Sequence, residues 1–388
     1  MTGPSAPADT PVRMEMCMRS LAVVLLLLAS SFAYAAKRVT VQELTQILDS
    51  MHQANKSDED VATRLKQVQL SEELTAPDAA RMEQYLPGPS SKEQLDILAG
   101  LSAFELPAAS PGPAPASPDT AAILSHSEQW LKGTYLQVAT FTASKVVLRY
   151  QDDVENMSSQ PGLRVDSPNT YAKFAEGRTD TVETTQGAEK LVGDQPKEHW
   201  GENGQISEGG PPPPLPEIFQ EANASEKIAF SRWETIGGKP AAVFTFAVDK
   251  KKSHYNVAYC CFPQTDTATG VSNAGYGLAP GAVQSVTTWR PFKKTVPYHG
   301  LLFIDPESGA ILRTLTYAEL KPSDYIHTEN VRVDYTLTAL GDKICVVPQS
   351  SITLDEVVPG GDTGMQGYSV RHRLFLATYG NYRPGGAN

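Results

Sequence analysis

Seven histidines, four cysteines and a few acidic pairs are the residues with the most chemistry to offer in this 388-residue chain. The histidines are His52, His126, His199, His254, His299, His327 and His372. None stands at the H-E-x-x-H interval that sets two imidazoles on one helix face, nor at another ligand spacing. A histidine without such a partner reads as a surface or hydrogen-bonded strand residue. No G-x-S-x-G elbow occurs, and no S-x-x-K with its companion motifs, so no nucleophile is announced. Gly360-Gly361-Asp362-Thr363-Gly364 lies between two strand patterns, whereas a phosphate loop follows a strand and opens a helix. Asp152-Asp153, and Asp305 with Glu307, could face a cation, but neither matches a calcium loop. Turn and solvated face account for both. No metal, cofactor or catalytic residue is expected. A hydrolase whose residues meet only in space is the least supported reading.

These residues work outside the cytoplasm if the N-terminus is read at face value. Arg13 and Arg19 precede the apolar run Leu21–Leu28, and Ala33 and Ala35 give a small-x-small pattern just before Lys37-Arg38. A basic start, a short apolar run and an A-x-A site define a secretory signal peptide, here residues 1–35. The run is shorter than the roughly 20 residues that cross a bilayer. The mature chain is therefore expected to lack a transmembrane segment and to work in the periplasm or outside the cell. Cys17 precedes the run, whereas lipid attachment needs a cysteine after it.

The net charge is -11, and residues 1–35 hold two acids and two bases, so cleavage leaves it unchanged. Such a chain suits neither nucleic acid nor an anionic membrane. Its basic clusters, Lys250-Lys251-Lys252 and Lys293-Lys294, read as solvated hairpin positions that discourage edge pairing. An oxidising compartment permits disulfides. Cys260 and Cys261 are neighbours, and strand neighbours point to opposite faces. Only one of them can pair with Cys345, leaving the other as a small apolar thiol.

The elements that must position these residues fall into two parts. Residues 37–104 read as a small helical module. Thr40 with Glu43, Ser57 with Asp60, Thr75 with Asp78 and Ser90 with Glu93 each have the spacing of a capped helix start. Apolar residues three and four apart follow each start, giving one buried stripe per helix. Residues 105–118 hold five prolines and read as a linker. A fifth helix is expected from Asp119 to about Leu136.

From Phe141 the chain reads as strands. Phe141–Tyr150, Thr179–Thr185, Lys227–Ile236, Ala241–Val248, His254–Phe262, Tyr298–Ile304, Ala310–Tyr317, Glu329–Ala339, Lys343–Val347, Ser350–Glu356 and Tyr368–Tyr379 carry the pattern, with Glu217–Ala224 as a short helix. Short polar turns between them predict antiparallel neighbours, including Ala241–Val248 with His254–Phe262 across the three lysines. The fold class is α+β: a helical module, then a large curved antiparallel sheet, a half-barrel at its most closed, with a packed helix, over residues 119–383.

The hairpin Tyr298-His-Gly-Leu-Leu-Phe-Ile-Asp-Pro-Glu-Ser-Gly-Ala-Ile-Leu-Arg313 resembles one in periplasmic lipoprotein carriers and the related sensor of envelope stress. That resemblance implies a curved half-barrel with helices over a concave side that holds acyl chains. Ser231-Arg-Trp-Glu234, Ala242-Val-Phe-Thr-Phe246, Ser253-His-Tyr-Asn-Val257 and the Asp305 hairpin, in that order, are also similar to a family of exported bacterial proteins, a likeness that brings no activity with it.

The leading expectation is a non-enzymatic binding protein whose sheet shelters an apolar ligand such as lipid or a lipoprotein tail. Phe141, Trp233, Phe244, Phe246, Phe303 and Ile304 are its candidate wall, although periodicity does not place them on one face. The alternative is a module with a filled core that binds another envelope protein.

Overall fold

The computed structural model describes residues 37–107, 119–135, 140–152, 171–185, 188–191, 214–265, 287–322, 324, 326–341, 343–357 and 371–384. Residues 1–36, where a signal peptide is expected, most of the proline-rich linker and the glycine-rich stretch after Val357 lie outside these residues.

The N-terminal module holds four helices: α1 (Val41–Gln53), α2 (Asp58–Lys66), α3 (Ala76–Met82) and α4 (Pro89–Ser102). Three begin where their capping residues predict. The Thr40 hydroxyl accepts from the Glu43 N–H, and the Glu43 carboxylate takes the Thr40 N–H at 2.9 Å. Ser57 and Thr75 cap α2 and α3 in the same way.

The fourth start differs from the expected Ser90–Glu93 box. Pro89 occupies the first turn after Gly88, and the N–H groups of Ser90 and Ser91 each donate to the Asp58 carboxylate at 2.9 Å. An acid in the first turn of α2 thus caps a helix 32 residues on, satisfying N–H groups that a local side chain usually serves. Hydrogen bonds from Ser91 and Ser90 hold the Asp58 carboxyl below its ordinary range. Two short strands not signalled by any pattern, β1 (Lys37–Val39) and β2 (Val68–Leu70), pair in parallel beside the helices. Leu44, Leu48, Val61, Leu65, Met82, Leu95 and Leu98 form the module core.

Helix α5 (Thr120–Trp130) is capped by Asp119 and runs into a π-helical turn, Leu131–Tyr135. The β part follows as β3 (Thr140–Asp152), β4 (Tyr171–Thr185) and β5 (Ala188–Leu191), then α6 (Leu215–Ala224). After α6 come β6 (Ala229–Ile236), β7 (Lys239–Val248), β8 (Asn256–Thr265) and β9 (Thr287–Thr295). The last five are β10 (Tyr298–Ile304), β11 (Ile311–Ala318), β12 (Ile326–Leu340), β13 (Lys343–Val357) and β14 (Arg371–Pro384).

Ten strands make one antiparallel sheet in the order β5-β4-β3-β14-β13-β12-β11-β10-β7-β6. The sheet is open, with β5 and β6 at its edges, and β3 meets β14 within it, third and fourth from the β5 edge. Register shifts in β3–β4, β12–β13 and β14–β3 bend it, as bulges do.

Two sequence expectations are corrected. β8 does not continue the meander beside β7: it pairs with β9 as a separate ribbon, and β10 takes the place next to β7. The three-lysine turn fits a hairpin, but Tyr255 and Val257 are needed in the core above the sheet rather than in its plane. In addition, Lys343–Val347 and Ser350–Glu356 are one strand, with Pro348 at a register shift where β13 tolerates a missing donor.

Helices cover both faces. On one face α5 and α6 pack over β7, β10 and β11. The Asp305–Gly309 turn carries α5 there. Gly309 sits at φ +73°, and a Cβ on it would lie 2.4 Å from the His126 carbonyl carbon, so glycine serves both the turn and the close approach. The Ser127 hydroxyl donates to the Gly309 carbonyl at 2.9 Å.

On the other face α4 packs onto β14 and β3. Ile97 and Leu101 meet Tyr150, Leu374 and Leu376. Gly100 supplies the approach, since a Cβ there would be 2.7 Å from Leu376. The first linker residues are strapped to the module: the Glu73 N–H donates to the Leu106 carbonyl at 2.9 Å.

Candidate functional site

The expected wall divides between faces. Phe244, Phe246 and Ile304 lie together under α5 and α6, at most 2% exposed, with Trp233 packed at their margin. Phe230 links them, its ring 5.7 Å from Trp233 and 5.8 Å from Phe244. Phe303, the neighbour of Ile304, points to the opposite face, where the Arg313 guanidinium stacks 5.5 Å from its ring. Phe141 belongs to a separate cluster with Ala143, Val182, Leu340, Cys345 and Val347. Alternation along each strand decides these placements. The four wall residues that do gather share one core cluster with Ile218, Phe219 and Ala222 of α6 and Ile123 and Trp130 of α5. This stretch of the sheet is therefore lined by the protein's own helices.

Open apolar space lies one layer further out, between those helices. A groove of about 440 Å³ is bounded by Glu128, Leu131 and Lys132 from α5 and its π-turn, and by Pro216, Phe219, Gln220, Asn223 and Ala224 from α6. Leu131, Pro216 and Phe219 give it an apolar floor above the core. Lys132 and Glu128 pair across one turn at its rim, at 2.5 Å.

The seat of α6 is polar and specific. Glu221 on its buried side is 7% exposed. One carboxylate oxygen takes the His254 N–H at 3.0 Å and meets His254 Nδ1 at 2.6 Å. The other accepts from the Tyr298 hydroxyl at 2.7 Å. That bond to Glu221 raises the imidazole pKa of His254, and burial pushes the Tyr298 phenol far up.

Beyond Tyr298, carboxyls are buried on the same face. The Tyr255 ring lies edge-on to Tyr298 at 5.5 Å, and its hydroxyl donates to Glu329 at 2.5 Å. Glu329 stands directly opposite Asp355 in the β12–β13 register, and Asp355 opposite Arg373 in β13–β14. Burial lifts the Glu329 carboxyl to about 8, with Asp355 adding to the rise and the Tyr255 bond opposing it. Burial lifts Asp355 to about 7, against the pull of Arg373. Among the described residues, one Glu329 oxygen and both Asp355 oxygens accept no hydrogen bond.

Charge on the module face is handled differently. Arg332 donates to Glu73 at 2.7 Å, to Asp334 at 2.8 Å and to the Ala103 carbonyl at 3.1 Å. Arg313 bonds Asp334 at 2.5 Å and reaches Glu73 at 3.3 Å. This cluster joins the module to β11 and β12, and a cavity of about 120 Å³ lies beside it.

Other sequence candidates resolve locally. Asp305 accepts the Glu307 N–H at 3.0 Å and the Ser308 hydroxyl at 2.7 Å, the bonds of a turn. Lys250 and Lys251 are exposed in the turn between β7 and β8, and Lys252 donates to the Ala224 carbonyl at the end of α6. Cys345 is a free, buried thiol, so the expected bridge to Cys260 or Cys261 is absent; the side chains of that pair lie outside the described residues. No described helix is long and apolar enough to cross a membrane.

No protein family matches the sequence, and no curated protein or solved structure is detectably similar. The sequence reading overlooked Glu221, Tyr255, Tyr298, Glu329 and Asp355. The available signal was weak: acids placed among apolar strand residues, as in Ile326–Val333 and Ile352–Val357.

Proposed function

We propose that the chain acts outside the cytoplasm as a non-enzymatic binding protein that takes an apolar chain, such as a lipid acyl tail, between α5 and α6. The observation that carries this reading is the groove of about 440 Å³ with Leu131, Pro216 and Phe219 as its floor. Its size lies within the range of about 300–1,000 Å³ for small-molecule sites. Of its polar lining residues, Lys132, Gln220 and Asn223 are exposed and Glu128 is partly exposed, while Leu131, Pro216 and Phe219 are buried. The signal-like N-terminus and the resemblance of the Asp305 hairpin to lipoprotein carriers support the compartment and ligand class.

The test is native mass spectrometry of the protein purified from the periplasm, with thermal unfolding in the presence of palmitate. Co-purified lipid, or a palmitate-dependent rise in Tm that Ala224→Trp abolishes, supports the reading. Ala224 is exposed on the groove, so the indole fills the site without entering the core. No lipid and no shift in Tm sinks it. A second reading, an interaction module for another envelope protein, draws support from the helix-lined wall at Phe244, Phe246 and Ile304. That negative outcome would favour it.

A further inference from the structure

We propose that α6 is a proton-controlled latch over the face it covers, held closed while the carboxyl row Glu329–Asp355 and His254 carry protons and loosened when they lose them. The proposal rests on the binding reading only in giving the latch a purpose, since α6 is one wall of the groove.

The latch is a continuous chain of contacts. Glu221 ties α6 to His254 before β8 and to Tyr298 on β10. The Tyr298 ring packs on Tyr255, and the Tyr255 hydroxyl ends on Glu329. Ser253 stiffens the corner: its hydroxyl accepts the Tyr255 N–H at 3.1 Å and donates to the Val296 carbonyl at 2.6 Å. Along this path two side chains, Tyr298 and Tyr255, link α6 to the buried carboxyl row.

The groups that face Glu329 set the sign. They are Tyr255 just before β8, Asp355 from β13 and, next to Asp355, Arg373 from β14. His372 on β14 adds charge near Asp355, and Glu356 lies 3.5 Å from it. Carboxyls directly opposite on neighbouring strands stand about 5 Å apart at Cβ. Two such groups out of water do not both ionise cheaply, and Arg373 compensates at most one charge. The unbonded Glu329 and Asp355 oxygens mean that the site does not solvate a second anion from within. Losing the second proton therefore admits water or displaces Tyr255, and Tyr255 is the support of Tyr298. His254 acts in the same direction. Its proton strengthens the pair with Glu221, and its raised pKa means that the pair weakens as pH rises.

Both carboxyls have raised values in the folded protein, from 4.5 to about 8 for Glu329 and from 3.8 to about 7 for Asp355. The native state holds these protons where the unfolded chain has released them. Their contribution is complete at acid pH and is lost as pH rises through the folded values.

Amide hydrogen exchange over Leu215–Ala224 in the full chain without ligand, corrected for intrinsic rates, tests the latch. Protection of α6 should fall by about tenfold or more between about pH 5.5 and about pH 8.5, the factor that one linked proton gives per pH unit. Glu329→Gln should flatten that fall, and His254→Gln, an exposed change, should reduce it. Unchanged protection in the wild type overturns the proposal. So does a fall that His254→Gln leaves intact, which keeps the test decisive should Glu329→Gln not fold. Palmitate binding is scored separately: a pH-dependent α6 without palmitate binding removes the purpose and leaves the latch, and the converse removes only the latch.

Discussion

The two faces of one sheet bury charge in opposite ways. On the module face, Glu73, Arg313, Arg332 and Asp334 form a mutually bonded set, two acids against two guanidiniums. On the α5–α6 face, Glu329 and Asp355 have one guanidinium near them and oxygens without donors among the described residues. A matched set offsets the cost of desolvation with its own ion pairs. A mismatched set keeps part of that cost as a proton equilibrium. The module thus sits on paired charges, whereas the other face carries buried carboxyls whose protonation changes near neutral pH.

The largest test breaks the matched set. Glu73→Ala leaves Arg332 and Arg313 buried with one carboxylate, and should lower stability by about 3–5 kcal/mol in urea unfolding. A loss below about 1 kcal/mol would mean that apolar contacts such as those of Ile97 and Leu101, rather than this charge cluster, hold the module.

Next in size, Tyr255→Phe removes the only hydrogen bond that Glu329 receives among the described residues. It should cost about 1–3 kcal/mol, the range for stranding a buried polar group. A neutral result would show that Glu329 finds water, and would weaken the contrast between the faces.

Asp355→Asn acts through pH. Because the folded value of Asp355 is raised, wild-type stability should decline as pH rises from the ordinary carboxylate range through about 7. The variant should lose part of that decline while Glu73→Gln leaves it in place. Unfolding curves across this range check it, and equal slopes in all three proteins would erase the distinction.

The smallest effect serves as a control. Lys92→Ala removes an exposed pair with Glu83 on the module surface and should change stability by less than about 1 kcal/mol at either pH. A larger change would mean that the module surface is not the bystander it is taken to be.

Local rules made much of the fold legible. Thr40, Ser57, Thr75 and Asp119 place four helix starts because a side chain and an N–H two or three residues on must meet within one turn. The Asp305–Gly309 turn and its two strands are equally local. Alternation marked most strands and the α+β class. The capping rule failed at Ser90, whose N–H donates to Asp58, and alternation failed to place β8, where the choice of neighbour depends on what must fill the core above the sheet.

Local spacing was enough for the caps at Thr40, Ser57, Thr75 and Asp119 and for the Asp305–Gly309 turn, and composition alone gives the net charge and the residues available to a core. Tertiary structure alone decided which face each residue took and which charges met. Phe303 and Ile304 are adjacent and equally apolar, yet they lie on opposite faces because β10 is pleated between two covered surfaces. Glu329 and Asp355 are 26 positions apart, and only the register of β12 against β13 sets them opposite one another. Pairing of that kind is fixed by the packing of whole strands, so the carboxyl row and the latch it controls leave no spacing in the sequence to read.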